Sequence, residues 1–428
     1  MRFVRETIER WMSNEDEELW KTFSDLYGPL YWLSTLFPSW VPAKRVRTVG
    51  LLVAYWVTFA IHLYLLTQSI LLISDDMELA SLNFHYWIIF IFAIVCLFMM
   101  NKNRGMLADI HRMMATDLGR YRSRQIYTEE RPLKLIAEKR RQTIMFLFLP
   151  GLVLCLAGGV LLLPYIQKIN TEVKYNNGVN LNLPIAAWYP FSTERGIQHY
   201  VAIMGQLLTG FFMSTVIATL ELTLFRIIQQ LIFEFKVLRY SVVTVFKSAK
   251  MLYDQTYSGQ EKFETSNEKF QLCIGECMKE CIVHHSEISK MLSGFEQLVK
   301  WPAAMAYFCG TGVIGLSLIN IQSAKESENF ENVVLFSTLA MAEVLNMFIL
   351  SMFGEAITTE SKILRDDLYI LQWHKLDVRN RKIFLNFQVG ITNPVIVKAG
   401  GLVDMSMDTF SSIINTSYSF FNLLNAQG

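Results

Sequence analysis

Seven hydrophobic runs alternate with polar connections along this chain. A helix needs about 20 mostly apolar residues to cross the roughly 30 Å hydrocarbon core of a bilayer, and each run has about that length. The runs lie near residues 49–74, 82–100, 143–166, 198–225, 301–322, 332–354 and 403–424. The pattern therefore predicts an all-α membrane protein with seven transmembrane helices.

The basic residues distinguish the two sides of the predicted membrane. Of the 39 Lys and Arg residues, 35 lie before the first span or in the connections 101–142, 226–300 and 355–402. Lys and Arg are retained on the cytosolic side of membrane proteins. The N-terminus is therefore expected to be cytosolic and the C-terminus extracellular, which is the reverse of a seven-helix G-protein-coupled receptor.

Two of the cytosolic connections are predicted to be helical. Apolar residues recur at helical spacing on both sides of a break at Tyr257-Ser258-Gly259, so two long helices should continue spans four and five as a stalk of residues 226–300. Another helix is expected after span six, followed by a basic turn at 374–382. The apolar faces of so short a stalk need a partner, through self-assembly or another subunit.

Two further segments are expected to lie at the membrane surface. Residues 26–42 are aromatic and broken by proline, which is typical of an interfacial or re-entrant segment beneath the first span. The connection 167–197 is the only sizeable external one in the seven-span arrangement. It is expected to form a lid or a spacer over the outer surface.

The last hydrophobic run carries a line of polar side chains. Ser412, Asn415, Ser419 and Asn422 recur at i, i+3, i+7 and i+10, which places them on one face of a helix. Such a stripe indicates either the wall of a water-filled path or hydrogen bonding between helices. Leu423 lies one turn beyond Ser419, where its side chain would suit the apolar constriction of a gate.

The composition and the local motifs exclude several classes of function. The chain is 52% hydrophobic with a net charge of +1, which is not the composition of a basic nucleic-acid-binding protein. No nucleophile–base pair, phosphate-binding loop or metal-ligand spacing is apparent, so neither an enzyme nor a cofactor is expected. The lack of paired inverted repeats disfavours a secondary transporter.

Three cysteines fall on one face of the predicted stalk. Cys273, Cys277 and Cys281 recur every four residues and are followed by His284 and His285. A zinc site and a face of small buried thiols both fit this spacing, and the thiol face is the favoured interpretation.

Three ionisable residues lie deep inside predicted spans. His62 and Glu343 are near the middle of spans one and six, and Glu221 is deep in span four. A charge in hydrocarbon is costly, so each of these side chains should face protein or water. A contact between His62 and Glu343 is one arrangement, and a structural hydrogen bond is favoured over proton transport.

Several segments near the C-terminus resemble the insect odorant receptor family. They are FGEAITTES from Phe353, the later Trp373, NPVIVKAGGLVDMSMDTFSSI from Asn393 and the closing SYSFFNLL from Ser417. Their order, together with the chain length, the seven spans and the orientation, carries the resemblance.

A departure near the C-terminus separates the chain from the related gustatory receptors. In that family a Thr-Tyr pair is followed five residues later by Gln-Phe. Here Ser417-Tyr418 is followed by Leu424-Asn425, which favours the odorant branch.

The resemblance implies an odour-tuned subunit of a ligand-gated, non-selective cation channel, distinct from the co-receptor. In such a tetramer the last helix of each subunit surrounds the pore, cytosolic helices form the anchor and the shared co-receptor completes the assembly. The implied partners are a small volatile organic ligand, permeant cations and the lipid bilayer, with no nucleic acid. The implied location is the plasma membrane of an olfactory neuron dendrite. The alternatives are a gustatory-type receptor channel, a seven-helix transporter and a G-protein-coupled receptor.

The spans and the resemblance together divide the chain into six parts. They are a cytosolic and interfacial N-terminal segment (1–48), spans one to four with an outer ligand-binding bundle (49–225), the cytosolic stalk (226–300), spans five and six (301–354), a cytosolic anchor helix and turn (355–402) and a pore-lining last span (403–428).

The resemblance also implies an odorant site in the outer half of the bundle, among spans two, three, four and six. A small volatile molecule needs burial against aromatic rings, methionine and a gap left by glycine. Each candidate taken singly also fits core packing. The candidates are Phe84, Trp87, Ile88, Cys155, Gly158, Leu162, Tyr200, Met204, Leu208, Phe211, Val333 and Phe336, with Tyr86, His199 and Gln206 as further polar contacts.

Overall fold

The computed structural model describes most of the chain, and its described part is dominated by helices. The described residues are 26, 45–115, 118–119, 121, 130–146, 158–159, 165–166, 172–257, 267–326, 328 and 330–425. The helices are α1 Arg45–Leu72, α2 Met77–Lys102, α3 Arg104–Ala115, α4 Glu130–Phe146, α5 Ile197–Val243, α6 Val245–Tyr257, α7 Glu268–Glu326, α8 Phe330–Ile370, α9 Val378–Gly390 and α10 Met407–Asn425.

Five helices in the described part of the chain are long and apolar enough to cross a membrane. They are α1, α2, α5, α7 and α8, and they contain the predicted spans one, two, four, five and six. The predicted last span is helical as α10, which is shorter and more polar than these five. The predicted span 143–166 and the predicted interfacial segment 26–42 lie mostly outside the described residues.

The predicted helical extensions are confirmed, with one additional break. Helices α5, α7 and α8 all run without interruption well beyond the predicted spans. The chain breaks at Thr244, however, before the predicted break at Tyr257. The Thr244 hydroxyl donates to the Tyr240 carbonyl at 2.7 Å, and the β-branched run from Val242 to Val245 is a weak helix former. Helix α6 is therefore a separate element.

The prediction of a basic turn at 374–382 is wrong for the second half of that segment, which is helical. A 3-10 turn covers Trp373–Lys375, and α9 begins at Val378. The Asp377 side chain accepts a hydrogen bond from the Asn380 backbone N–H at 2.7 Å, which is the usual way in which aspartate caps a helix N-terminus. Asp377 was the sequence signal for this helix.

A short hairpin connects α9 to α10. Its strands, β4 Lys398–Ala399 and β5 Val403–Asp404, are antiparallel and joined through Gly400 and Gly401. Both glycines have positive φ angles of 64° and 79°, a conformation that other residues rarely adopt. The Gly400 N–H donates to the Lys300 carbonyl at 2.8 Å, which ties the hairpin to α7.

Helix α7 is the central element of the molecule. It packs against α2, α5, α6, α8, α9 and α10, and one continuous hydrophobic core joins these helices. The largest side chains that the core buries completely include Phe59, Phe235 and Phe295. The core therefore extends from the predicted spans into the stalk.

The connection between residues 172 and 196 folds into a small antiparallel sheet, here called the loop sheet. Its strands are β1 Tyr175–Asn176, β2 Val179–Asn180 and β3 Ala187–Trp188, in that spatial order. The turn between β1 and β2 is Asn177-Gly178, with φ angles of 47° and 83°. Asn-Gly is the preferred dipeptide for such tight hairpin turns, so the sequence did carry a signal for this hairpin.

Candidate functional site

A cavity of about 310 Å³ lies between α1, α2, α5, α7 and α8. Most of its wall is apolar, with aromatic side chains such as Tyr86, Phe90 and Phe225. The loop sheet region closes one end through Ile185, Ala187 and Tyr189. The volume lies at the lower end of the range for small-molecule sites, so the cavity suits one small ligand.

The loop sheet is fixed to the helices beneath it. The Gln206 side chain of α5 accepts from the Ile185 N–H and donates to the Ile185 carbonyl, both at 2.9 Å. The Trp188 N–H donates to the Ser69 hydroxyl of α1 at 2.7 Å. Part of residues 172–196 therefore covers one end of the cavity, which fits the first of the two roles, lid or spacer, expected from the sequence.

The three ionisable residues expected deep in the spans all line this cavity. His62, Glu221 and Glu343 come from α1, α5 and α8 respectively, so each faces the inside of the bundle as predicted. His62 Nδ1 lies 2.9 Å from the Thr209 hydroxyl, and His62 Nε2 is buried without a partner. The same nitrogen lies 3.0 Å from the Thr58 carbonyl oxygen, so the contacts of His62 Nδ1 are with Thr209 and Thr58 and not with Glu343.

The structure brings only part of the predicted ligand set to the cavity. Ile88 lies in its wall, as do Tyr86 and Gln206 of the predicted polar contacts. His199 instead contacts the Thr193 carbonyl, at 2.8 Å. Five members of the predicted set have side chains on the outer surface of the folded chain and are 39% to 66% exposed: Phe84, Tyr200, Met204, Leu208 and Phe211.

The remaining predicted residues also lie away from the cavity wall or outside the described residues. Trp87 donates its indole N–H to the Thr67 hydroxyl at 3.1 Å, and Phe336 is buried without lining the cavity. Val333 is half-buried and does not line it, and the same holds for Gly158. Cys155 and Leu162 lie outside the described residues.

Helix α5 explains why its predicted positions point away from the cavity. Met204, Leu208 and Phe211 share one face of this helix, whereas Gln206, Met213, Ile217 and Glu221 share the face that lines the cavity. Lipid is as apolar as a protein core, so hydrophobicity alone does not distinguish the two faces. The polar residues Gln206 and Glu221 were the available signal, because they avoid lipid.

The last helix presents its polar stripe on a face that this chain leaves uncovered. Ser412, Asn415, Ser419 and Asn422 are all exposed, and Leu423 beside them is 57% exposed. On the opposite face, Ser417 is buried and donates to the Thr311 carbonyl of α7 at 3.3 Å. Helix α10 therefore packs its other face against α7 and α8.

The cysteine-rich face of the stalk is a packing surface. Cys273, Cys277 and Cys281 are buried free thiols, and no group of described His, Cys, Asp and Glu residues is arranged to hold a metal ion. Burial raises the pKa of Cys277, which lies well before the predicted span 301–322, to about 12. His284 is also buried and contacts Glu234 and Tyr121.

The chain matches a known receptor family over most of its length. The family model described as 7tm Odorant receptor matches residues 76–418. Odorant receptor 46a, isoform A, of Drosophila melanogaster is 29% identical over 154 residues, which are 35% of this chain and 39% of that protein. Odorant receptor Or2 of Anopheles gambiae is 22% identical over 147 residues, 34% of this chain and 38% of that protein. The matched parts are thus less than two fifths of these relatives.

The fold is similar to that of a solved insect receptor. The olfactory receptor OR5 from Machilis hrabei, solved alone and in complex with eugenol, superposes with a TM-score of 0.72 in both cases. The sequence identity is 13% to the receptor solved alone and 12% to the eugenol complex. The superposition on the eugenol complex covers 97% of this chain and 99% of that chain. The relatives are receptors and not enzymes, in agreement with the sequence prediction. Because the family model spans most of the chain, the chain belongs to the insect odorant receptor family.

Proposed function

We propose that this chain is the odour-tuned subunit of an odorant-gated, non-selective cation channel. A small volatile ligand binds in the cavity between the helices, and its binding opens a tetrameric pore lined by α10. The channel assembles with the odorant-receptor co-receptor in the plasma membrane of a sensory dendrite. The N-terminus lies in the cytosol and the C-terminus outside.

The cavity is the observation that carries this proposal. It is apolar, closed at one end by the loop sheet region and large enough for one small molecule. Volatile molecules have few hydrogen-bonding groups, so their affinity comes mainly from burial of apolar surface. An aromatic and aliphatic wall, with few polar groups to orient the ligand, fits that chemistry.

A pair of alanine variants tests whether the ligand binds in the cavity. Ile88 lines the cavity, whereas Met204 is on the outside of the chain and 64% exposed. We expect Ile88→Ala to weaken odorant potency by roughly 5- to 150-fold, because it removes about 1–3 kcal/mol of apolar contact. Met204→Ala should leave potency unchanged. The measurement is an odorant dose–response series of currents in cells that also express the co-receptor.

The reverse result would identify a different site. Surface labelling of both variants establishes that the receptors reach the membrane. If Met204→Ala shifts the curve while Ile88→Ala does not, the ligand binds on the outer face of α5, beside Met204, Leu208 and Phe211, which the sequence analysis assigned to the odorant site.

The exposed stripe of α10 supports its role as the pore wall. In a tetramer with α10 at the axis, the stripe faces water and the opposite face stays packed on α7 and α8. Leu423, at the edge of the stripe, then meets its equivalents in the other subunits and forms the closed gate.

Cysteine substitution separates a pore wall from a packing surface. Ser419→Cys and Leu423→Cys should react with a charged, water-soluble thiol reagent and change the current. Ser417→Cys should stay silent because its side chain is 1% exposed and contacts α7. The native chain controls for reaction at its own cysteines. Equal inertness at all three positions, with normal currents, would show that α10 does not line the pore.

The cytosolic helices offer a surface for assembly. Large apolar side chains remain exposed there on the isolated chain, including Tyr369, Ile370, Trp373, Leu385 and Val389. Exposed apolar patches of this kind mark interaction surfaces. They fit the anchor through which the subunits of the proposed heterotetramer hold together.

A further inference from the structure

Two carboxyl groups in the cavity have no partner among the described residues. Glu221 of α5 and Glu343 of α8 both line it, and they are close enough to interact electrostatically. Neither makes a hydrogen bond or an ion pair with any described residue, and none of the described residues lining the cavity is Lys or Arg. Among the described residues, the cavity therefore has two carboxyl groups and no Lys or Arg to neutralise them, and its only basic side chains are the imidazoles of His62 and His85.

The surrounding helices leave room for the Glu343 carboxyl group. A Cβ atom at Gly310 of α7 would overlap Met347 Cε and lie 2.7 Å from Glu343 Oε1, so the glycine leaves space for the ends of these two side chains. Apolar side chains such as Ile217, Val313 and Leu339 make up the neighbouring wall. The carboxyl groups are thus set in an apolar wall, where a charge costs far more than in water.

Other polar groups of the cavity also have no hydrogen-bond partner within the described part of the chain. Tyr86 and His85 of α2 are 7% and 5% exposed, line the cavity, and make no hydrogen bond with a described residue. His62 Nε2 is buried without a partner as well. Because buried polar groups in folded proteins are nearly always hydrogen-bonded, these groups independently indicate a site for a ligand with polar atoms.

We propose that the cavity binds a small protonated amine, with its ammonium group between Glu221 and Glu343 and its hydrocarbon part against the aromatic wall. This rests on the proposed function of the cavity as the odorant site. An ammonium group donates up to three hydrogen bonds, whereas carboxylates only accept. A cation also relieves the repulsion between two negative charges, and charge-assisted hydrogen bonds are the strongest ones.

Esters and ketones provide no such match. Their oxygens are acceptors, so they have no proton to donate to a carboxylate. An alcohol donates one hydrogen bond but carries no charge. The proposal therefore predicts selectivity for the amine over an alcohol with the same carbon skeleton.

Two pairs of probes test this selectivity. 2-Phenylethylamine is compared with 2-phenylethanol, and hexylamine with hexanol, on the receptor expressed with the co-receptor. We expect at least one amine to activate at a concentration tenfold or more below that of its alcohol. Glu221→Gln and Glu343→Gln should weaken the amine response roughly 10- to 100-fold, as for loss of a charge-assisted hydrogen bond, and change the alcohol response little. Glu331→Gln, at an exposed position outside the cavity, is the control.

The outcomes separate this proposal from the proposed function. If neutral odorants open the channel while neither amine is preferred, or if the Gln variants weaken amine and alcohol equally, the amine proposal is overturned and the odorant-gated channel stands. If no odorant of any class evokes current from surface-expressed receptor, the proposed function fails.

In that case, a binding measurement that does not depend on channel current tests the amine proposal. We expect hexylamine or 2-phenylethylamine to raise the melting temperature of the detergent-solubilised receptor complex, and Glu343→Gln to abolish that shift. A shift of equal size in the native chain and in Glu343→Gln, or no shift in either, would overturn the proposal.

Discussion

Replacing Gly354 by alanine should remove most of the receptor from the cell surface. Gly354 of α8 lies directly against the segment between β5 and α10, and a Cβ atom there would overlap the Met405 carbonyl oxygen and its neighbouring backbone. Backbone relaxes less readily than the end of a side chain, so the cost should reach or exceed the roughly 1–3 kcal/mol of ordinary overpacking. The displaced segment also carries Met405, which lines the cavity, and leads into α10.

A second glycine provides the matched control. Gly312 lies inside α7, where an added Cβ atom would have no neighbour within 4 Å. Gly312→Ala should therefore be tolerated and should favour the helix by up to about 1 kcal/mol. Surface biotinylation with total expression measures both variants. Normal surface levels for Gly354→Ala would show that the segment shifts freely and does not fix the start of α10.

Removing one side chain from the buried polar network of the stalk should destabilise the chain strongly. His284 Nε2 lies 2.9 Å from a Glu234 carboxyl oxygen, and His284 Nδ1 lies 2.7 Å from the Tyr121 hydroxyl. Gln230 donates to the other oxygen of Glu234 at 2.6 Å. These groups join α5 to α7 inside the core, and each one left unsatisfied costs about 1–3 kcal/mol. We expect His284→Leu and Glu234→Leu each to lower the melting temperature of the purified receptor.

The double variant and a surface control make this test specific. Glu234→Leu combined with His284→Leu should cost less than the sum of the single variants, because it removes both partners of the central contact. Glu287→Leu, which breaks an exposed pair with Lys290 on the same α7, should have little effect. Strict additivity of the two buried substitutions would show that Glu234 and His284 do not stabilise each other.

The hydrophobic pattern along the sequence was sufficient to predict the long helices of the bundle. Five predicted spans correspond to long apolar helices in the described part of the chain, and the continuation of spans four, five and six into the stalk and anchor is also found. Both follow from local information, since the length of an apolar run and the helical period are contained in neighbouring residues. The local signals overlooked were also in the sequence: Asp377 before α9 and Asn177-Gly178 in the loop sheet.

The residues that line the cavity could be predicted only in part from the sequence. Ile88, Tyr86 and Gln206 were recognised as candidates and lie in its wall. Met204 and Phe211 have the same apolar character but lie on the opposite side of α5. The depth of a residue follows from its position in a span, whereas the direction of its side chain depends on how the helix is rotated against its neighbours.

The sequence by itself therefore determined the family, the helical membrane class and the position of each described long helix, because hydropathy and short motifs are properties of consecutive residues. Only the tertiary structure decided which helix faces meet. It brought Glu221 and Glu343, 122 positions apart in the chain, into one cavity, and paired His62 with Thr209. Such contacts depend on packing between distant segments. A helix face that meets lipid is as apolar as one that meets protein, so the hydrophobic pattern does not show which faces meet.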